Sequence, residues 1–301
     1  MAPKVAIILL NWNGYADTTE CLLSLKRIDY PNYEIIVVDN GSMDSSGDRI
    51  KSEFPYVTLL KNRENLGFAG GCNTGIRFAL DRGFPYIYLL NNDTVVDTKV
   101  LSTLVDAAEE DPRAGILSSK IYYFNDKNVI WYAGATFDPL RGCCYNRGIG
   151  QADRDEFSIM GETDRACGCS MLVKSEVFAK VGLFDERFFC SFEEEDLCLR
   201  AKKAGFRIMY VPSSLLWHKV SMATGGANSP MNTYYSSRNI PLAYSKDGHI
   251  IMVHIWNLLK TAKNAVLFIV SPKKRARAKA VLGGIFDFYR GRFGRTFSKY
   301  Q

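Results

Sequence analysis

Acidic residues nearly vanish from the last fifth of the chain. Lys246 to Gln301 hold 2 Asp+Glu against 12 Lys+Arg, a net of +10, whereas Met1 to Ser245 hold 30 against 26, a net of −4. The overall charge of +6 therefore belongs to the C-terminal segment, a separate electrostatic object. Also lacking is an unbroken apolar run fit to span a bilayer. The best candidate, "HIIMVHIWNLLKTAKNAVLFIV", is interrupted by His254, Asn257, Lys260, Lys263 and Asn264, which suits an amphipathic helix lying on a surface. The opening "MAPKVAIILLNWNG" enters a strand pattern without a cleavage site, so no signal peptide is expected. The eight cysteines form no disulfide framework, and Cys143-Cys144 and Cys167-x-Cys169 lack the spacing of zinc pairs. They read as reduced packing residues of a cytoplasmic protein. No repeat or low-complexity block is present. No recognition motif accompanies the basic tail, so nucleic acid is not an expected partner.

What is present is a chain of 301 residues, 47% hydrophobic and 23% charged, which can bury a full core. "KVAIILLNWNG" is a short apolar run ended by Asn/Gly turn chemistry, which predicts a buried strand. The pattern recurs with strands at 33–38, 57–61 and "YIYLL", each followed by helical periodicity, the later helices falling at about 69–82 and 98–110. Alternating strands and helices predict an α/β fold with a mainly parallel central sheet flanked by helices. Ligands of such sheets bind at the carboxyl ends of the strands. Those ends carry Asn11-Trp12-Asn13, Asp39-Asn40, Asn65 with Gly67, and Asn91-Asn92-Asp93, so four polar clusters share one rim. Further on, strands are expected at 115–123, 129–137 and 166–173, and helices at about 175–181 and 191–204.

Each rim cluster has two readings. Asp93 or Thr94 could cap the following helix, or Asp93 could hold a divalent cation, since hard cations bridging diphosphates need few protein ligands. Asp39-Asn40-Gly41 could be only a tight turn before a helix capped from Asp44 or Ser45, or Asp39 could accept the N–H of a pyrimidine base. "NLGFAGGCNTG" could serve packing alone, or place a diphosphate or sugar near a helix N-terminus. His218 could be structural or a metal ligand. In "FFCSFEEEDLCLR", Ser191 and Glu194 fit a capping box, and Asp196 and Arg200 are spaced for an intrahelical pair.

Taken together, "NWNG", "VVDNGSMD", "NLGFAGGCNTG", "LLNNDT", "GCSMLVKSEVFAKVGLFDERFF", "FEEEDLCLR" and "LWH" occur in the order seen in family 2 glycosyltransferases of the GT-A (Rossmann-like) fold. The chain resembles the rhamnosyltransferase-like and galactofuranosyltransferase-like members over about residues 4–240, and "YYSSRN" resembles the segment that closes this domain. The resemblance implies an inverting, Mn2+- or Mg2+-dependent transfer from a nucleotide sugar, dTDP-rhamnose or a UDP-sugar first, to a glycan or polyprenyl-linked glycan acceptor. By position it implies Asp39 as the base-binding residue, with Asn11 and Asn65 beside it, and Gly70 and Asn73 in the donor-sugar loop. Asn91-x-Asp93 stands where the family carries Asp-x-Asp, leaving Asp93 the clear metal ligand, Asn91 open, and His218 completing the site. Where members commonly carry Glu-Asp-x-Asp, this chain has Glu193-Glu194-Glu195-Asp196, so Glu194 takes the place of the catalytic base. Glu193, Asp196 and Arg200 then support it.

The expected organisation is a catalytic domain over 1–245, with a nucleotide-sugar half (about 1–115) and an acceptor half (about 116–245), and a basic amphipathic helical extension over 246–301. The extension either packs on the domain or docks on an anionic membrane, which would place the enzyme at the cytoplasmic face. A sugar nucleotidyltransferase would carry a basic Gly-rich loop after the first strand, and "LNWNGYAD" has no basic residue. The competing reading from another class is a catalytically silent nucleotide-sugar-binding or membrane-docking protein.

Overall fold

A computed structural model describes residues 2–138, 142–220 and 229–296. Met1 and the last five residues of the expected basic extension, 297–301, lie outside the described residues. The N-terminal half alternates as expected: β1 (Val5–Asn11), α1 (Tyr15–Leu25), β2 (Tyr33–Asn40), α2 (Ser46–Glu53), β3 (Thr58–Asn62), α3 (Gly67–Asp81) and β4 (Tyr86–Asn91). β3, β2, β1 and β4 lie side by side, all parallel. Burial on both faces explains their near-continuous apolar runs. Along β1, Val5, Ile7 and Leu9 enter a core beneath α1 and α2, while Ala6 and Ile8 enter a second core beneath α3.

The sheet continues through β5 (Thr94–Val96), then α4 (Val100–Glu110), β6 (Ala114–Tyr123), β7 (Ile130–Tyr132), β8 (Ala135–Asp138), β9 (Cys143–Asn146), β10 (Gly161–Glu162) and β11 (Ser170–Lys174). After β11 come α5 (Ser175–Val181), α6 (Glu193–Lys203) and β12 (Arg207–His218). β11 joins β4 and β6 antiparallel, and β12 runs parallel to β6, giving a mixed but mostly parallel sheet. The expected strand at 129–137 breaks at Gly134 (φ +87°) into β7 and β8, which belong to different sheets. Of the expected strand at 166–173 only the part from Ser170 pairs, and the preceding residues turn towards the sheet rim. β12 carries no strand signal because Pro212-Ser213-Ser214 interrupts its apolar pattern. The sheet absorbs them as an irregularity, the register against β6 shifting between Val211 and Leu215.

Three helices close the structure: α7 (Pro230–Lys246), α8 (Ile250–Val270) and α9 (Arg275–Tyr289). α9 packs along α7, and Tyr244 of α7 and Val253 of α8 share a small core with Phe188. No helix among the described residues is long and apolar enough to cross a membrane. All eight cysteines are free, five of them buried.

Candidate active site

A cavity of about 630 Å3 opens at the carboxyl rim of β1, β2 and β4 and is closed on its other side by the residues before β11 and the start of α6. Its wall includes Asn40, Asn65, Asp93, Arg165, Glu194 and His218, which come from both halves of the chain.

The start of α6 separates the four acids. Ser191 (φ +69°) and Phe192 (φ +73°) are both left-handed, so the helix begins after Phe192 and no side chain caps it. The expected capping box of Ser191 and Glu194 is not formed, because an N-cap hydroxyl needs an extended backbone at its own residue. α7 holds the segment instead. Asn239 Nδ2 donates to the carbonyls of Phe188 (3.0 Å), Cys190 (2.8 Å) and Ser191 (2.8 Å), and the buried Arg238 donates to those of Arg187 and Phe188. Strained backbone persists where neighbours over-determine it. These two residues, the last of "YYSSRN", hold the entry to α6.

Of the four acids, only Glu194 keeps appreciable access, its side chain 16% exposed against 2–4% for the others. Glu194 accepts from Arg165 Nη1 at 3.1 Å. Glu193 is buried with Oε2 unpartnered, and burial, then the charge of Glu194, pushes its pKa well up. Glu195 accepts from Tyr244 Oη and from Cys144 N (3.0 Å), with burial raising its pKa against the opposing pull of Arg165. Asp196 forms the expected pair with Arg200, Nη2 to Oδ2 at 2.8 Å, and also meets Lys246. Arg200 further binds the carbonyls of Val181 and Leu183, so this pair is scaffold rather than cavity wall.

Across the cavity, β5 pairs antiparallel with β12, placing Thr94 opposite His218. Lys219 N donates to Asp93 O at 3.0 Å, extending the ladder. That register brings His218 Nε2 to 3.1 Å from Asp93 Oδ1. Neither Asp93 nor Thr94 caps α4, which begins six residues after Thr94, and Thr94 Oγ1 closes the turn by donating to Asn91 O. Both ring nitrogens of His218 are buried: Nδ1 has no hydrogen-bond partner, Nε2 has only the Asp93 contact, which is not aligned as a hydrogen bond, and Trp131 meets the ring edge-on at 4.6 Å. A buried imidazole without a well-formed hydrogen bond is costly, and a divalent cation at Nε2 and the Asp93 carboxylate would remove that cost. The donor set fits Mn2+ or Mg2+ with oxygen ligands from a diphosphate and water. Among the described residues no three His, Cys, Asp or Glu converge on a metal site, so the protein share here is small. Asn91 borders the same wall.

The remaining sequence-nominated residues divide. Asp39 is 8% exposed, and its Oδ1 accepts from Asn11 Nδ2 (3.2 Å), which also donates to Ser46 Oγ (2.8 Å). Asp39 lies against Gly47, where an added Cβ would fall 2.4 Å from Oδ2. Asn11 and Asp39 thus form a polar floor behind the cavity wall. Asn65 lies on that wall, and its Oδ1 accepts from Gly67 N (2.8 Å) and from Asn40 Nδ2 (3.1 Å). Gly70 and Asn73 are not on the wall. Gly70 is buried in α3 against Leu66, and Asn73 binds Phe184 through N–H and C=O alike. Both are buried within α3, which begins at Gly67, and Asn73 also donates to Glu186 Oε1 at 3.0 Å.

Sequence reasoning missed Arg165, a lone arginine in "TDRACGCS" with no pattern to mark it. It also missed Asn40, whose Oδ1 accepts from Asn62 Nδ2 (3.0 Å) and Leu66 N (3.2 Å) to shape the loop before α3. Its signal was the Asp-Asn pair at a strand end, which marks the rim but was given a binding role through Asp39 alone.

Comparison with known proteins bears on the family and the fold. The family described as Glycosyl transferase family 2 matches residues 6–182. An N-acetylglucosaminyl-diphospho-decaprenol L-rhamnosyltransferase of Mycobacterium tuberculosis (strain CDC 1551 / Oshkosh) is 28% identical over 301 residues, 93% of this chain and 97% of that one. A poly-beta-1,6-N-acetyl-D-glucosamine synthase of Staphylococcus epidermidis is 23% identical over 274 residues, 88% of this chain and 60% of that one. Among solved structures, a mannosyltransferase from Pyrobaculum calidifontis in complex with GDP-Man and Mn2+ superposes with a TM-score of 0.60 at 15% identity, covering 97% of this chain and 88% of that one. GalNAc-T7 with UDP, GalNAc and Mn2+ gives 0.62 at 14% identity, covering 96% and 56%. At these identities the structural likeness is one of fold.

Proposed function

The chain belongs to glycosyl transferase family 2 and is a glycosyltransferase of the GT-A fold, and from that premise we propose that it catalyses an inverting, metal-dependent transfer from a nucleoside-diphosphate sugar to a hydroxyl of a lipid-linked glycan. The observation that carries this reading is the placement of Glu194. It is the most exposed carboxylate of its run, 16% against 2–4% for the others, and it lines a cavity whose wall also holds Asp93 and His218.

In this reading Glu194 takes the proton from the acceptor hydroxyl as it attacks the anomeric carbon, a general-base role. A single displacement inverts that carbon and requires no enzyme nucleophile. Arg165 fixes the position of the Glu194 carboxylate. Asp93 and His218 would hold Mn2+ or Mg2+, with Asn91 beside them. The bound cation would offset the negative charge that grows on the leaving diphosphate. Asp39, oriented by Asn11, receives the nucleotide base, and Asn65 shapes the loop beside it. Residues 1–115 then serve the donor and residues 116–245 the acceptor. The name of the mycobacterial relative supports rhamnose as the sugar and a polyprenyl-diphosphate-linked acceptor; in this reading the donor is dTDP-rhamnose, or failing that a UDP-sugar, and transfer takes place at the cytoplasmic face of a membrane.

The test is a panel of dTDP- and UDP-sugars assayed for binding and transfer with and without Mn2+ or Mg2+, using wild type and Glu194→Gln. Donor binding is expected to survive the substitution while transfer falls about 10²–10⁴-fold. Near-wild-type transfer by Glu194→Gln would remove Glu194 from the role. Donor binding by the wild type without turnover on any acceptor would favour a silent binding protein.

A further inference from the structure

α8 presents its apolar stripe to solvent. Over 21 residues only Val253 and Asn257 are buried. Ile251, Ile255, Leu258, Leu259, Val266 and Ile269 are all exposed, Ile251 at 74% and Ile269 at 73%. Their spacing of three, four and seven residues puts them on one face, and Val253 and Asn257 fall on the opposite one. An ordinary surface helix buries its stripe and exposes its polar side. α8 reverses that arrangement and, with 21 residues at about 1.5 Å each, is roughly 30 Å long.

The stripe ends at a basic turn. Lys273, Lys274, Arg275, Arg277 and Lys279 follow Val270 after only Ser271 and Pro272, and all five are exposed. None of them forms an ion pair with a carboxylate among the described salt bridges. The two acids of the extension are both engaged elsewhere: Asp247 with Lys203 and His249, and Asp287, buried, with Tyr234. The surface thus joins a long apolar stripe to unneutralised positive charge.

We propose that the α8 stripe and the α8–α9 basic turn form a docking surface for an anionic lipid bilayer, with α8 lying in the plane of the interface. The helix does not meet the requirements for crossing a membrane, so burial to the depth of one helix face is the fitting mode. Charge complementarity selects lipid over protein. Protein interface cores are depleted of lysine, whereas five cations beside an apolar stripe match anionic headgroups above acyl chains. The surface is also coupled to the cavity. Trp256 of α8 packs edge-on against Tyr244 at 6.3 Å, and Tyr244 donates to Glu195, next to Glu194. α7, on which α9 packs, supplies Met231, Asn232 and Ser236 to the cavity wall. Docking would therefore seat the acceptor side of the cavity at the membrane. That consequence rests on the glycosyl-transfer reading, whereas the docking itself does not.

The experiment is co-sedimentation of the full chain with vesicles of phosphatidylcholine alone or mixed with phosphatidylglycerol. Wild type is expected to sediment with the mixed vesicles and much less with the zwitterionic ones. Ile255→Glu/Leu258→Glu/Ile269→Glu, all at exposed positions, should abolish sedimentation while leaving donor hydrolysis unchanged. Lys273→Glu/Lys274→Glu/Arg277→Glu should weaken it steeply, about fivefold or more per charge at low salt, and added salt should mimic this in the wild type. Wild type remaining in the supernatant, or sedimentation unaffected by the glutamates, would overturn the proposal. Self-association on gel filtration that the glutamates abolish, without vesicle binding, would assign the stripe to a second copy and overturn it equally. Vesicle binding with no turnover would retain the docking surface and reject only the enzymatic reading.

Discussion

Arg165 Nη1 stands 3.1 Å from Glu194 Oε1, and the same guanidinium places Nε 3.7 Å from Glu195 Oε2. Arg165 itself is buried, and its Nη2 donates to Asn146 Oδ1. One cation from the loop before β11 therefore restrains two neighbouring carboxylates at the start of α6. Without it, three glutamates would crowd one helix turn with no opposite charge against them. The two elements that close the cavity opposite the strand rim are joined by this contact.

Removing Arg165 should cost stability and catalysis separately. Breaking a buried pair leaves uncompensated charge, so Arg165→Ala is expected to lose about 3–5 kcal/mol in urea unfolding. Arg165→Lys keeps the charge but not the planar fork. It should fold, retain the donor KM, and lose kcat, which steady-state kinetics can read.

Glu193→Gln should stabilise the protein as pH rises. Burial and the charge of Glu194 raise the Glu193 pKa in the fold, so the native state holds a proton that the unfolded chain releases. The associated stability is complete below the unfolded carboxylate range and is drawn down as pH climbs towards the raised folded value. Glutamine removes that loss. Unfolding free energies at mildly acidic and neutral pH should show the variant gaining on wild type as pH increases, with transfer activity retained. A pH-independent difference would show that Glu193 is not holding the proton.

The parallel part of the fold was legible because each strand is a short apolar run ended by Asn, Asp or Gly, and those endings mark the rim. Asp93 could be nominated from that rim alone. Its meeting with His218 could not be derived from spacing, because it depends on β5 pairing with β12, whose pattern is broken at Pro212-Ser213-Ser214. Likewise four adjacent acids look alike in sequence. Tertiary burial separates them: Tyr244 takes Glu195, Arg200 and Lys246 take Asp196, Glu193 is closed in, and Glu194 is left open. The capping box failed for the same kind of reason. Asn239 and Arg238, about fifty residues downstream, impose a left-handed entry that local pattern does not contain.

Gly67 should be intolerant of alanine. It has φ +74°, and an added Cβ would fall 2.2 Å from Phe189 O. The left-handed conformation alone costs about 1–2 kcal/mol in a residue with a side chain. Relief of the clash must also move the segment that leads to Glu194. Gly67→Ala is expected to lose at least that stability in thermal or urea unfolding, and to lose more activity than a surface change of equal destabilisation.

Asp93 and His218 should govern metal dependence without governing the fold. Both belong to the rim, and neither supports the core beneath α1 or α4. His218→Ala and Asp93→Asn are expected to raise the Mn2+ concentration needed for half-maximal transfer by at least about tenfold, the smallest loss usual for groups that tune a metal site. His218→Ala also deletes a buried imidazole that makes no hydrogen bond in the protein beyond its unaligned contact with Asp93, so its stability in the absence of metal should change less than that of a comparable buried polar deletion. Titration of Mn2+ with nucleoside diphosphate, followed by calorimetry, reads the binding term apart from turnover. Equal Mn2+ affinity in wild type and both variants would place the metal elsewhere and leave the Asp93–His218 contact a purely structural link between β5 and β12.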